Sequence, residues 1–353
     1  MFHKPGEATT MKITTIGLDL AKNVFQVHGV DEQGKAVVRK QLRRNQVAAF
    51  FANLPPCLVG MEACGSAHHW ARKIEQLGHT VRLMAPQFVK PYVKTNKNDA
   101  ADAEAICEAV SRPQMRFVPI KNAEQQAVLA LHRARQAFVK ARTAQANQIR
   151  GLLGEYGIIF PQGICHITKR LPAILEDGEN ELPGSFRALL DRLGEHLREL
   201  DRQVDELEAQ IYRWHRENEA SRKLEQVPGI GPITASALVA TIGDANSFKN
   251  GRQLAAWLGL VPRQHSSGGK SVLLGISKRG DSYLRTLLIH GARAVIRVAE
   301  RKEGYPQSWL GQLLGRRQKN VAAVALANKN ARIVWALLAH DRNYQADYAP
   351  SAV

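Results

Sequence analysis

Cysteine is scarce in this sequence, and so are the features that mark secreted or membrane-spanning chains. The four cysteines, at positions 57, 64, 107 and 165, form no Cys-x-x-Cys pair, which indicates neither a zinc site nor a disulfide framework. No apolar run approaches the roughly 18 residues of a membrane span, and residues 1–10 lack the apolar core of a signal peptide. We therefore expect reduced thiols, a cytoplasmic location and no membrane partner.

Acidic residues are also few compared with basic ones. The 353 residues include 32 Asp and Glu against 49 Lys and Arg, a formal charge of +17, and 44% are hydrophobic. A globular chain this basic most often has a polyanionic partner, and without a membrane or lipidation signal nucleic acid is the favoured one. A basic protein with no such partner is the alternative.

The first part of the chain alternates strand and helix patterns. Strands are predicted over 13–19, 23–30, 36–42, 57–62 and 80–84, and helices over 46–54, 66–77 and 99–110. Three hairpin-linked strands followed by β-α-β-α predict a mixed sheet with helices on its faces, in the order of the ribonuclease-H-like fold. We assign residues 12–120 to this α/β domain and residues 1–11 to a flexible extension.

A helical region is predicted next, over residues 121–222. Its first helix, 124–153, carries almost purely basic charges that fit a nucleic-acid-facing surface, with a solvated face as the alternative: Arg133, Arg135, Lys140, Arg142 and Arg150. Its second helix has apolar residues at alternating spacings of 3 and 4: Leu190, Leu193, Leu197, Leu200, Val204, Leu207, Ile211 and Trp214. This heptad seam predicts either a helical hairpin or an intermolecular coiled coil, and we expect it to pair subunits.

A mostly helical C-terminal domain is predicted over residues 223–341, followed by a tail over 342–353. Gly229 and Gly231, in Val-Pro-Gly-Ile-Gly-Pro, resemble the turn of a helix-hairpin-helix motif, whose free backbone N–H groups can hold a DNA phosphate. A glycine-capped helix junction is the alternative. Further along, Ser266-Ser267-Gly-Gly is a small flexible loop, and basic residues that could contact a phosphate backbone surround it: Arg263, Lys270, Lys278, Arg279 and Arg285.

Four carboxylates stand at element ends in the α/β domain. Asp19 and Glu62 end apolar strands, where a carboxylate is costly unless it is paired or bound to metal. Asp99 and Asp102 are three residues apart, which places both on one face of a helix. Together the four can hold two Mg²⁺ ions for phosphoryl transfer. Alternatively, Asp99 is a plain N-cap and Asp102 its capping partner.

These segments resemble one known family. Gly-Leu-Asp19-Leu-Ala-Lys, Met-Glu62-Ala and Lys-Asn-Asp99-Ala-Ala-Asp102 are similar to the acidic site of the DEDD transposases of insertion-sequence family 110, 1111-like subgroup. Val-Pro-Gly-Ile-Gly, Trp-Leu-Gly-Leu-Val-Pro-Arg and Ser-Lys-Arg-Gly-Asp-Ser-Tyr-Leu-Arg are similar to that family's C-terminal domain. The likeness extends over about residues 12–340.

The resemblance implies a RuvC-like catalytic domain, a serine nucleophile that best matches Ser267, with Ser266 one residue away, and a structured guide RNA. The implied reaction is metal-assisted DNA strand exchange in a homo-oligomer, a dimer or tetramer. Two alternatives stay open at this point: a hydrolytic Holliday-junction resolvase, which would tolerate loss of Ser267, and a non-catalytic nucleic-acid-binding protein, which would tolerate loss of the acids.

Overall fold

Strands and helices alternate along the first unit of the chain, residues 1–123, whereas the second unit, residues 124–353, is almost entirely helical. The structure is a computed structural model and describes residues 12–94, 98–301 and 307–346. The predicted extension 1–11, Lys97 of the acidic segment and residues 347–353 of the predicted tail lie outside the described residues. The mixed α/β first unit and the mostly helical second unit confirm the predicted fold class at this level.

One mixed sheet organises the first unit. Its strands are β1 (Thr15–Leu20), β2 (Val24–Val30), β3 (Ala36–Arg43), β4 (Leu58–Glu62), β5 (Thr80–Met84) and β6 (Phe117–Val118). Their order across the sheet is β3-β2-β1-β4-β5-β6. β1, β2 and β3 pair antiparallel, β1, β4 and β5 pair parallel, and β6 returns antiparallel. The first five strands confirm the predicted ones, and the two-residue β6 is too short to carry an alternating pattern.

Helices cover both faces of this sheet. They are α1 (Val47–Ala52), α2 (Ala67–Gln76), α3 (Pro86–Val89) and α4 (Asp99–Val110). Ile16 and Leu18 of β1 pack into a core with Phe51 of α1 and Trp70 of α2. Because side chains alternate along a strand, Gly17 faces the other way, toward α4.

The second unit is built from helices and one small hairpin. They are α5 (Ala123–Gly154), α6 (Ile164–Glu176), α7 (Gly184–Glu217), α8 (Glu219–Glu225), α9 (Pro232–Ile242), α10 (Gly251–Trp257), β7 (Pro262–Gln264), β8 (Leu273–Ile276), α11 (Ser282–Ala299), α12 (Trp309–Arg316) and α13 (Lys319–Ala339). Among the described helices, α13 alone is long and apolar enough to cross a membrane by length and composition. Ala323, Ala327 and Val334 of α13 are fully buried in the core of this unit, so α13 serves here as a core helix.

The heptad seam of α7 is covered within a single chain. Leu190, Leu197 and Ile211 are fully buried, and Leu190 and Leu197 share a core with residues of α5 and α6. α5 and α7 run antiparallel, since early residues of α5 pair with late residues of α7 and later ones with earlier ones: Glu124 with Trp214, Arg135 with Glu208, Arg142 with Asp201 and Gln145 with His196. The helical-hairpin alternative therefore describes these helices, and no second subunit is needed to cover the buried part of the seam.

A buried polar cluster joins α5, α9 and α11 in the second unit. The imidazole of His132, which is 2% exposed, is hydrogen-bonded to the Tyr283 hydroxyl at 3.0 Å and to the Ser236 hydroxyl at 3.1 Å. Ser236 donates its own hydrogen to the Pro232 carbonyl at 2.7 Å, so it accepts from His132 Nε2, and Nδ1 accepts from Tyr283. Burial, and then the nearby Arg135, lower the pKa of His132 to about 4.

This cluster makes the second unit sensitive to acid. With a folded pKa near 4 and an ordinary value of 6.5, the unfolded chain takes up the proton first as the pH falls. The His132 contribution to the free energy of unfolding is fully present above pH 6.5 and decreases by about 3 kcal/mol on acidification to pH 4. Denaturant unfolding across that range should show this loss in the wild type and not in His132→Gln, which cannot titrate. Parallel pH dependences of the two proteins would contradict the assignment.

Candidate metal centre and serine hairpin

Two neighbouring strand ends carry the first two carboxylates. β1 and β4 are parallel, with Gly17 opposite Gly60 and Leu18 opposite Met61. The next position in the same register places Asp19 beside Glu62. Because side chains two residues apart point to the same face, both carboxylates lie on the face that Gly17 and Gly60 present to α4.

Helix α4 approaches this face without intervening side chains. A Cβ atom added at Gly17 would overlap the Ala103 carbonyl oxygen, and one added at Gly60 would lie 2.7 Å from Cβ of Val110. The two glycines thus let the α4 backbone lie on the sheet. This close packing brings the first turn of α4 to the end of β1.

The first turn of α4 supplies the other two carboxylates. Asn98 is the N-cap, and its side-chain oxygen accepts from the Ala101 N–H at 2.8 Å. The alternative that Asp99 is the N-cap is therefore wrong, since Asp99 is the first residue of the helix. An Asn directly before the acidic pair is a capping signal, and it is visible in the sequence.

Three of the four predicted acids come together. Asp19, Asp99 and Asp102 offer carboxylate oxygens that all lie within 4.8 Å of one another. Asp99 is exposed and the other two are partly exposed, so solvent or a substrate can reach them. Glu62 stands outside this group, on the adjacent strand. Carboxylates this close repel one another unless a cation or proton intervenes, and hard divalent cations prefer such oxygen ligands.

Cys64 lies near the same acids. Its position two residues after Glu62 could have predicted this proximity. Partial burial raises the pKa of the Cys64 thiol, and the negative charges of Glu62 and Asp19 raise it further. Both carboxylates are thus within electrostatic range of one thiol. The thiol stays protonated at neutral pH. Cys57, Cys107 and Cys165 are likewise free.

The predicted serine loop is the tip of the β7–β8 hairpin in the second unit. Gly268 and Gly269 both have positive φ angles, 54° and 77°, as a two-residue turn between Ser267 and Lys270 requires. The Lys270 N–H donates to the Ser267 carbonyl at 3.0 Å. This turn holds the two serines at defined positions of the hairpin.

The hairpin distinguishes its two serines. The Ser266 hydroxyl oxygen accepts from the Gln264 side chain at 2.9 Å and from the Val272 N–H at 3.3 Å. The Ser267 side chain is exposed and has no hydrogen-bond partner within the described part of the chain. Ser266 therefore stabilises the hairpin, whereas the exposed Ser267 hydroxyl is not used in any hydrogen bond within the described residues.

The predicted nucleic-acid contacts divide into exposed cations and structural ones. Arg135 and Arg142 are paired with acids of α7, and Arg150 donates to the Gly163 carbonyl at 2.7 Å. Arg285 donates to the carbonyls of Leu258 and Arg279, each at 3.1 Å. The cations exposed to solvent are Arg133, Lys140, Arg263, Lys270, Lys278 and Arg279. The sequence alone does not show which basic side chains are already paired with acids or carbonyl oxygens of the same chain.

Gly229 and Gly231 form the turn between α8 and α9. Gly229 has a φ of 90°, and a Cβ atom there would lie 2.9 Å from the Gly291 carbonyl oxygen of α11. Gly229 therefore serves the close approach of the turn to α11. Gly231 is exposed and is the N-cap residue of α9.

Two family models match this chain. The family model DEDD_Tnp_IS110, described as Transposase, matches residues 16–158, and the model described as Transposase IS116/IS110/IS902 family matches residues 221–306. A Pseudomonas aeruginosa protein named "Probable family 20 transposase" is 57% identical over 336 residues, 95% of this chain and 99% of the relative.

Other relatives carry insertion-sequence names. The transposase for insertion sequence element IS1328 of Yersinia enterocolitica is 47% identical over 92% of this chain and 96% of the relative. The transposase for insertion sequence element IS1111A of Coxiella burnetii is 46% identical over 94% of this chain and 92% of the relative. The chain combines an acidic centre on a mixed sheet with a helical unit, and its relatives are insertion-sequence transposases. These findings define it as an insertion-sequence transposase, which is a DNA-processing enzyme. The chain belongs to the IS110 family of DEDD transposases, in its IS1111-like group.

Proposed function

We propose that this transposase exchanges DNA strands by serine attack at a phosphate activated by divalent metal. The observation that carries the proposal is the meeting of Asp19, Asp99 and Asp102 at the edge of the sheet, within 4.8 Å of one another. A sheet with this antiparallel-then-parallel order and an acidic edge fits a RuvC-like, ribonuclease-H-like domain. The fold supports metal-dependent phosphoryl transfer only by analogy, and the acidic residues themselves are the basis of the proposal.

The donor set fits Mg²⁺. Asp19, Asp99 and Asp102 would hold one ion directly, and Glu62, on the neighbouring strand, would complete a site for a second. Two such ions stabilise the charges of the attacking and leaving oxygens when bound. The partial exposure of the three aspartates leaves room for the phosphate oxygens that must also enter the site.

Ser267 is the proposed nucleophile. Its Oγ attacks the phosphorus, a Ser–O–P bond forms, and the P–O bond to one sugar oxygen breaks, so that this oxygen leaves as a hydroxyl carrying the serine's proton. Attack by a sugar hydroxyl of another strand then reverses these bond changes and frees the serine. The energy of the phosphodiester bond is conserved in the Ser–O–P bond, so rejoining needs no external energy source. The serine and the acidic centre must act on one phosphate, within one chain or between the chains of a dimer or tetramer.

Nucleic-acid contacts are proposed on both parts of the chain. The exposed Arg263, Lys270, Lys278 and Arg279 would hold phosphates beside Ser267, and the turn at Gly231 would act as a helix-hairpin-helix contact with DNA. A structured guide RNA would lie on the N-terminal domain and on α5, where Arg133 and Lys140 are exposed. The proposal of a guide RNA is based on the resemblance to the family. The reaction would take place in the cytoplasm.

The test is covalent capture on DNA. The purified full chain is incubated with a suicide substrate that carries the element end, with Mg²⁺ or with EDTA. We expect a protein–DNA adduct that survives denaturing electrophoresis, only when Mg²⁺ is present. Metal-dependent cleavage without any adduct would instead support a hydrolytic resolvase, and metal-independent cleavage would refute the proposed role of the acids.

A further inference from the structure

A positively charged groove opens on the first unit, apart from the acidic centre. Its volume is about 590 Å³, and its walls include Arg43 at the end of β3, Arg44 directly after it, Asn23 before β2, and His69 and Lys73 of α2. Arg43, Arg44 and Lys73 are exposed, and within the described residues none of the three forms an ion pair with a carboxylate. The groove therefore carries positive charge that the protein does not neutralise.

Aromatic rings fix one of these cations in place. The Arg44 guanidinium lies over the Trp70 ring at 5.4 Å and over the Phe25 ring at 5.9 Å, and it donates to the Lys22 carbonyl at 3.3 Å. An arginine held over aromatic rings loses less side-chain freedom when it binds an anion. The planar guanidinium of Arg44 is therefore partly pre-organised for an anionic, oxygen-rich ligand such as a phosphate.

One further observation agrees with an anionic ligand. Lys73, Arg72 and Arg44 act, after partial burial, to lower the pKa of His69, which shows that their positive charges converge on the groove wall.

The groove lies at the same edge of the sheet as the acids. Leu20, next to Asp19, pairs with Phe25, and Val24 of the groove pairs with Arg43. α2 begins five residues after Glu62 and packs on the sheet face opposite α4. A nucleic-acid strand that crosses these strand ends would pass from the carboxylates on the α4 face to the groove on the α2 face.

We propose that this groove binds the sugar–phosphate backbone of the DNA strand that enters the acidic centre, beside the phosphate that reacts. The proposal rests on the proposed function, because it takes the acidic centre as the place of cleavage. Its chemistry is that of an electrostatic clamp: Arg43, Arg44 and Lys73 contact phosphates, which positions the strand without selecting its sequence.

The experiment measures binding separately from cleavage. Fluorescently labelled single-stranded DNA, the matching duplex and an RNA of the same sequence are titrated with full-length Asp102→Asn protein, with and without Arg43→Ala plus Lys73→Ala. The matched control is Lys40→Ala plus Arg82→Ala, which removes the same charge from exposed positions of the same sheet outside the groove. Thermal unfolding checks that all three proteins remain folded.

We expect the groove variant to bind single-stranded DNA about tenfold more weakly than its parent, with the slope of log Kd against log salt reduced by about 1.4, the value for two lost phosphate contacts. The control should lose less than half of that effect. Equal losses in the two variants would overturn the proposal in favour of general charge attraction. A loss confined to RNA would overturn it in favour of a guide-RNA site. Because binding is measured in a cleavage-deficient background, the result does not depend on whether the serine chemistry is correct.

Discussion

Strand cleavage is expected to fall by about a thousandfold or more when Asp102 is replaced by asparagine. Asp102 shares a site of 4.8 Å with Asp19 and Asp99, and asparagine keeps its shape while removing one negative charge. Weakened metal coordination forfeits several kcal/mol of stabilisation of the phosphoryl-transfer transition state, and each 1.36 kcal/mol is about a factor of ten in rate. The measurement is cleavage of labelled element-end DNA at saturating Mg²⁺, together with Mn²⁺ binding by calorimetry.

Glu104 provides the matched control for this prediction. It lies two residues further along α4, at the surface, where it pairs with Lys94 at 3.4 Å and with Arg39 at 4.0 Å. Glu104→Gln removes the same charge from the same helix and should leave cleavage within about twofold of the wild type, because an exposed ion pair contributes at most about 1 kcal/mol to stability. Wild-type cleavage by Asp102→Asn, or equal losses in both variants, would remove Asp102 from the metal site.

No covalent protein–DNA adduct is expected from Ser267→Ala, although this variant should bind DNA as the wild type does. The hydroxyl of Ser267 is exposed at the hairpin tip, and its removal costs no hydrogen bond within the described structure. The substitution should therefore abolish the adduct, because the nucleophile is missing, and leave DNA binding and folding unchanged, because the hairpin stays intact. The readout is the labelled band that survives denaturing electrophoresis on a suicide substrate.

Ser266→Ala separates nucleophile from scaffold. This variant loses the hydrogen bonds from Gln264 and Val272, which loosens the hairpin, yet it keeps the hydroxyl of Ser267. We expect an adduct that forms more slowly, by about tenfold if roughly 1.4 kcal/mol of positioning is lost. A full adduct from Ser267→Ala with none from Ser266→Ala would transfer the nucleophilic role by one residue. Cleavage without an adduct in both variants would indicate hydrolysis by water.

The sheet of the first unit could be predicted because its signals are local. Alternation along β1 and β4 fixes which residues face the core, and the turn after β2 fixes an antiparallel neighbour. The meeting of Asp19 with Asp99 and Asp102 was predicted from a carboxylate at the end of an apolar strand and from two carboxylates three residues apart on one helix face. The N-cap was missed for a different reason: Asn98 and Asp99 are both good caps, and only backbone geometry decides between them.

The partners of the long helices could not be predicted, because they depend on non-local packing. The heptad spacing of α7 states that one stripe is apolar, but not which helix covers it. The same holds for charge: Arg135 and Arg142 look like phosphate ligands on α5 until Glu208 and Asp201 of α7 are placed opposite them. A basic stripe and the basic half of an ion-paired helical hairpin are identical in sequence.

The contact of α4 with Gly17 and Gly60 suggests how inactive copies of the insertion sequence can be recognised. Mobile elements accumulate substitutions once a copy stops moving, and loss of an acidic ligand is the obvious mark of decay. A change from glycine to alanine at position 17 looks conservative, yet it would push α4 and its two aspartates away from Asp19. We therefore expect a transposase copy that keeps all four acids but has a side chain at position 17 to be inactive in transposition.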